Sequence, residues 1–295
     1  MQSDRGSRPE IALDQELPVY KIVAKNYAKE SENKIHSDEV ARRYGYRGGL
    51  VPGVAVYAYM TVPIVETLGS PWLAHGTMRA KFIKPVYDEE AIAVESRVTG
   101  VDPIRITISV VNEEGVLCAV GEASLPEKHP HVDISRYPYA PLPDPKEKLP
   151  PALEVLAKDT IFGSLEFAID LQHQEGEYGD FLDEMIDMLP IYRGPDAVAH
   201  PALLLQKANR LLSENVALGP WIHAGSDVNC YDVPRSDETL YMQGRVAHSY
   251  TKRDHDIVVM DLIVLGDKER PIAHLTHTAI VRPHEADDRN VRPRI

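Results

Sequence analysis

The chain has 295 residues, 43% hydrophobic and 26% charged, an ordinary composition for one large globular domain or two of common size. A formal net charge of -13 disfavours a nucleic-acid or anionic-membrane partner, because phosphate backbones are held by clustered Lys and Arg. The apolar stretches are broken well before the roughly 20 residues that a membrane span needs, and the opening MQSDRGSRPEIALDQ has no apolar signal-peptide core, so a cytoplasmic protein without a membrane partner is expected.

In chain order, residues 18–28 (PVYKIVAKNYA) read as a strand and 36–45 (HSDEVARRYG) as a short helix. Ser37 is its expected N-cap, Asp38 and Glu39 fill the first turn, Arg42 and Arg43 the last, and Gly45 stands just beyond, all as capping and the helix dipole prefer. Residues 53–69 (GVAVYAYMTVPIVETLG) predict a longer helix, apolar on nearly every face and therefore surrounded by protein, with a kink at Pro63. Runs rich in Val, Ile, Thr and aromatics at 77–87, 91–100, 105–115 and 116–126 follow as strands. The expected unit is an antiparallel sheet wrapped around one helix.

Residues 126–151 contain eight prolines, which predict an extended, semi-rigid linker rather than a packed element. Beyond it, 201–219 reads as a second buried helix and 226–233, 240–250, 256–266 and 272–282 as strands. The stretch 171–200 reads as an insertion over that helix, and the closing RPHEADDRNVRPRI as a loose tail. This divides the chain into an N-terminal domain (1–126), a linker (127–151), a C-terminal domain (152–283) and a tail (284–295).

An internal repeat supports the division. Pro52 to Glu89 aligns without a gap with Pro201 to Glu238 at a constant separation of 149 positions, matching Pro52, Pro71, Trp72, Gly76, Pro85, Asp88 and Glu89. Both tryptophans of the chain fall at equivalent places, in PWLAHG and PWIHAG. A duplicated domain explains this, with the two sheets side by side as an intramolecular pseudo-dimer and further homodimerisation left open.

The run NKIHSDEVARRYGYRGGLVPG, the buried helix after it and KFIKPVYDEE resemble the MaoC-like branch of the hot dog superfamily, which includes (R)-specific enoyl-CoA hydratases and hydroxyacyl-thioester dehydratases. The resemblance covers 18–126 and, as a degenerate copy, 160–282. It implies an α+β tandem (double) hot dog, each half an antiparallel sheet wrapped around a long central helix. It also implies a carbon–oxygen lyase of fatty acid metabolism acting on an acyl thioester, with coenzyme A as the carrier. The family motif D-x-N-P-[LIV]-H matches here at Asn33, Ile35 and His36, while Lys34 replaces the proline and Ser31 the catalytic aspartate. Gly53, opening the central helix, takes the place of the glycine whose backbone N–H faces the thioester carbonyl.

Hydration of an enoyl thioester needs a base for water, an acid for the α carbon and donors for the enolate oxygen. His36 suits either proton role and Gly53 the oxyanion role. Ser31 cannot replace a carboxylate as base, but it can hold the water while Asn33 orients it; Glu30 and Glu32 flank it. Arg42, Arg43 and Arg47, with Arg79, Lys81 and Lys84, are the cations in reach for the coenzyme A phosphates. In the second copy the position equivalent to His36 is Met185, so that half is expected to shape the acyl pocket. Two other readings stand beside the hydratase: a hot dog thioesterase using Asp38 or Glu39, and a non-catalytic binder of acyl thioesters or other hydrophobic ligands.

No cofactor or metal is expected. Cys118 and Cys230 lie in strand-like sequence without CxxC spacing and read as free thiols, and His274 and His277 fall on opposite faces of one strand. GxGxxG, P-loop, GxSxG and HExxH patterns do not occur.

Overall fold

A computed structural model describes residues 11–129, 131–173, 175–236 and 238–285, so most of the expected tail lies outside the described residues. The first half begins with a short strand β1 (Tyr20–Val23), a 3-10 turn (Lys34–His36) and helix α1 (Asp38–Arg43). The long helix α2 (Gly53–His75) follows, then strands β2 (Thr77–Phe82), β3 (Ala91–Val101), β4 (Ile104–Asn112) and β5 (Leu117–Leu125). The second half repeats the plan with β6 (Leu165–Phe167), α3 (Glu177–Met185), α4 (Ala202–Asn215), β7 (Ile222–Cys230), β8 (Leu240–Lys252), β9 (His255–Gly266) and β10 (Arg270–Arg282).

All ten strands form one antiparallel sheet in the order β1-β3-β4-β5-β2-β7-β10-β9-β8-β6. Each half is a five-stranded block, and the blocks join where β2 pairs with β7, from Thr77 opposite Asn229 to Lys81 opposite Gly225. Alternating residues on β3 (Ile92, Val94, Val98) and β4 (Ile104, Ile106, Ile108, Val110) point inward. They meet α2, and one apolar core runs through both halves. The sheet, α3 and α4 all contact α2. That surrounding is why a helix apolar on every face is stable there.

Several elements differ from expectation for identifiable reasons. Strand β1 is much shorter than 18–28, because the chain turns at Tyr27–Glu30 to form the site loop. Ser37 stands at the start of α1 without capping it; its hydroxyl donates back to the Lys34 carbonyl at 2.9 Å. Helix α2 stays helical through Pro63 and breaks at Gly69, whose φ of 61° suits glycine, before continuing to His75. Strands β6 and the start of β7, and helix α3, were not anticipated. Tyr178, Phe181, Leu182 and Met185 of α3 are buried and pack it against α2, and Lys207 on α4 reaches Glu177 at 2.7 Å.

The proline-rich connection is exposed or half-buried at nearly every described residue and is anchored by one buried side chain. It forms a turn at Ile134–Arg136 and buries Tyr137 against Ile263 and Leu265 on the outer face of β9, which explains why that strand is apolar on both faces. Cys118 and Cys230 are free thiols, and Cys118 is buried. Among the described residues no helix is long and apolar enough to cross a membrane.

The junction between the halves yields a test. A Cβ on Gly225 would lie 2.6 Å from the Ala80 carbonyl oxygen and 3.3 Å from the Lys81 Cα, so Gly225→Val must push β7 off β2. Urea unfolding is expected to show a loss of about 2–3 kcal/mol for Gly225→Val. Arg79→Ala removes only an exposed pair with Asp227 across the same junction and should cost under about 1 kcal/mol.

Candidate functional site

Where the start of α2 meets β7, a cavity of about 510 Å³ is lined by both halves: Asn33, His36, Gly53, Phe82 and Lys84 from the first, Asn209, Trp221 and His223 from the second. Ile35, Leu50, Val51, Val56, Val86, Ile222 and Ile280 make much of the remaining wall apolar. That volume is typical of a small-molecule site.

His36 is held in one tautomer. Its Nδ1 is 2.7 Å from the Leu50 carbonyl oxygen, which accepts only, so Nδ1 carries the proton and Nε2 keeps its lone pair. The Asn33 Nδ2 stands 3.4 Å from Nε2, a long contact in keeping with that assignment. Burial pushes the imidazole below its ordinary value and the Leu50 bond opposes this, leaving a neutral ring near pH 7. The backbone is pinned as well: Asn26 donates from Nδ2 to the His36 carbonyl at 2.8 Å, and its own amide donates to Asp88 at 2.7 Å. A Cβ on Gly49 would come within 2.0 Å of that carbonyl, so the glycine pair in RGGLVPG serves a close approach of two loops.

The Asn33 amide faces the other half. Its Nδ2 donates to the Trp221 carbonyl at 2.9 Å and its Oδ1 accepts from the Trp221 amide at 3.1 Å. It therefore clamps the His36 loop to β7 instead of standing free to orient water. The Ser31 hydroxyl donates to the Asn33 carbonyl at 3.3 Å and does not line the cavity. Glu30 and Glu32 are exposed, Asp38 accepts the Gly49 amide at 2.8 Å, and among the described residues no carboxylate is on the cavity wall.

Gly53 opens α2, and the amides of Ala55 and Val56 both turn to the Pro52 carbonyl. The outward donors at this helix start are then Gly53 and Val54, where the helix dipole is positive. A Cβ at Gly53 would lie 2.8 Å from Phe82 Cε2 and 2.9 Å from His223 Nδ1. Glycine is required by both neighbours.

The expected phosphate-binding arginines are engaged elsewhere. Arg42 pairs with Asp38 at 3.3 Å, Arg43 with Glu285 at 3.8 Å, and Arg47 with Glu90 at 2.7 Å while covering the Tyr87 ring. None of them lines the cavity. Lys84 does; it is exposed at the rim and, among the described residues, has no carboxylate partner.

His223, only 6% exposed, was not anticipated. Its Nε2 is 2.8 Å from Ser226 Oγ, which is 2.9 Å from His277 Nδ1, and His277 Nε2 is 2.9 Å from Asn209 Oδ1. Burial holds His277 down to about 3, and burial with the adjacent His277 holds His223 well below its ordinary value. His274, on the opposite face of β10, bonds Asp261 at 2.7 Å. The sequence signal was PWIHAG, which puts a histidine two residues after a repeat tryptophan, but only the pairing of β7 with β2 turns it toward Gly53. Among the described residues no group of three His, Cys, Asp or Glu is arranged to hold a metal ion.

No protein-family model and no curated protein matches the chain. Solved structures do. A conserved hypothetical protein from Mycobacterium tuberculosis, described as having a double hot dog fold, superposes with a TM-score of 0.63 at 14% identity, covering 92% of this chain and 97% of that one. A protein described as a MaoC-domain dehydratase from Chloroflexus aurantiacus gives 0.61 at 11% identity, covering 96% and 100%. An acyl-CoA thioesterase II from Mycobacterium marinum gives 0.51 at 12% identity, covering 90% and 93%. The chain has the double hot dog fold, a fold shared by MaoC-like dehydratases and acyl-CoA thioesterases alike.

Proposed function

We propose that this cavity binds an acyl thioester and adds water to, or removes it from, the bond between C2 and C3, with His36 as the proton-transfer group. The observation that carries this reading is the fixed tautomer of His36, whose Nδ1–H is held by Leu50 so that Nε2 serves as a base in the cavity that Gly53 also lines. As the enolate forms, its oxygen would meet the amide donors at the start of α2, where negative charge is favoured. The apolar part of the wall suits an acyl chain, and Lys84 at the rim suits a phosphate of a coenzyme A carrier.

The lack of a carboxylate among the described lining residues counts against a thioesterase, which needs one at the thioester carbonyl, and it also withholds the aspartate that the resemblance to hydratases implies. It also supports a second reading, an acyl-thioester binder without turnover.

Hydration of crotonyl-CoA, followed by loss of the conjugated enoyl absorbance, is the direct test. His36→Ala is expected to lower kcat/KM by about 10²–10⁴-fold. Equal rates in both proteins would sink the hydratase reading, release of free thiol would favour the thioesterase, and calorimetric binding without turnover would favour the binder. Because the base must be neutral and burial lowers His36 from 6.5, kcat/KM should stay level as pH falls from about 8 through 6.5 and decline only at more acid values. A decline centred above 6.5 would assign the base to another group.

A further inference from the structure

The buried polar chain on the second half ends in a lone pair. Asn209 Oδ1 can only accept, so His277 must donate from Nε2 and accept at Nδ1. Ser226 then donates its proton to His277 Nδ1, and its oxygen accepts from His223 Nε2. His223 is thereby fixed with its proton on Nε2 and a lone pair on Nδ1. That Nδ1 is buried and has no hydrogen-bond partner among the described residues, the ring lines the cavity, and the atom faces the start of α2 at Gly53. An orphaned buried acceptor is destabilising, and a donor arriving on a ligand removes that penalty.

We propose that His223 is the second half's contribution to the reaction: its Nδ1 accepts the second O–H of the attacking water and, after addition, the 3-hydroxyl of the product. The inference rests on the hydratase reading of the same site. It answers the absence of a carboxylate among the described lining residues, because a water that donates one proton to His36 and the other to His223 has both donors engaged and presents a lone pair to C3. In the step, the water oxygen bonds to C3 and one O–H bond breaks, its proton passing to His36 Nε2. The pair of the double bond moves into the thioester as an enolate facing the Gly53 amide. The enolate then takes that proton from His36 at C2, so that H and OH of one water have been added without a co-reactant. His223 keeps its second O–H throughout. The Phe82 ring, edge-on to His223 at a centroid distance of 5.0 Å, is the group that gives way as the donor reaches Nδ1.

Two measurements on the full chain test this. In nitrogen-15 histidine spectra, His223 should show its proton on Nε2, and its Nδ1 resonance should move upfield on saturation with 3-hydroxybutyryl-CoA. A proton on Nδ1, or a resonance unmoved by that ligand, overturns the proposal. In crotonyl-CoA hydration, His223→Leu should lower kcat by about 100-fold with KM changed by less than about 3-fold. His223→Asn, whose amide oxygen falls near the Nδ1 position, should recover part of it. Ser226→Ala keeps the ring and removes the group that fixes its tautomer, and should fall between them. Wild-type kcat in His223→Leu or, if that variant does not fold, in Ser226→Ala, overturns the proposal while leaving the reading of His36 intact. Should the wild-type chain itself fail to hydrate crotonyl-CoA, the catalytic role of His223 falls together with that of His36, and an Nδ1 resonance unmoved by 3-hydroxybutyryl-CoA would remove the ligand contact as well.

Discussion

The pairing of β2 with β7 is the constraint on which the rest of the molecule depends. Five residues on each side are in register, and the strands approach so closely at Gly225 that a side chain there would run into the Ala80 carbonyl. Without this ladder each half would end in an unpaired strand edge, an invitation to aggregation. With it, ten strands share one sheet and one core. The register also has the form of a two-fold: Arg79 lies opposite Asp227 and Met78 opposite Val228, and in the repeat Val228 is the counterpart of Arg79 and Asp227 of Met78. The same ladder sets His223, two residues before Gly225, against Phe82, the residue after Lys81.

Duplication supplied two helix starts, and their histidines are used differently. At α4, His200 accepts the Ala202 amide on Nδ1 at 3.0 Å, and its Nε2 faces Asp187 at 3.2 Å. Both nitrogens are engaged within the protein, which makes that residue a buried cap. At α2 the histidine comes from the preceding loop, and only Nδ1 is anchored at hydrogen-bonding distance shorter than 3 Å. The two halves thus carry the same scaffold with opposite uses of imidazole. Asn33 couples them, since it grips the Trp221 backbone and touches His36 at once.

The fold was legible because its signals are local and repeated. The helix from Gly53, the β-rich runs after it and the matched prolines and tryptophans all report on residues that pack in sequence order. The amphipathic pattern of Tyr178, Phe181, Leu182 and Met185 was equally present, at spacings of three, four and seven, and identifies α3 once the insertion is read as helix rather than loop. Much of the site was not legible. His36, Asn33 and Gly53 do line one cavity, but the pairing of Arg42, Arg43 and Arg47 with Asp38, Glu285 and Glu90 depends on loops that meet only in three dimensions. His223 lies 187 positions from His36, and nothing short of the strand register joins them.

The acidic residues around the motif serve the backbone beside the cavity, and among the described residues none lines it. Asp88 accepts the Asn26 amide and pairs with Lys29 at 2.6 Å; Asn26 in turn holds the His36 carbonyl. Asp38 accepts the Gly49 amide, fixing the glycine that lies against that carbonyl. Both carboxylates act on His36 through the backbone, and both stay near solvent, where their charge is well hydrated. Placing either one in the apolar wall would impose a desolvation cost of several kcal/mol unless a cation came with it. Two imidazoles held neutral by burial, one per half, line the cavity without that cost. The two carboxylates instead define the position from which the His36 ring can act.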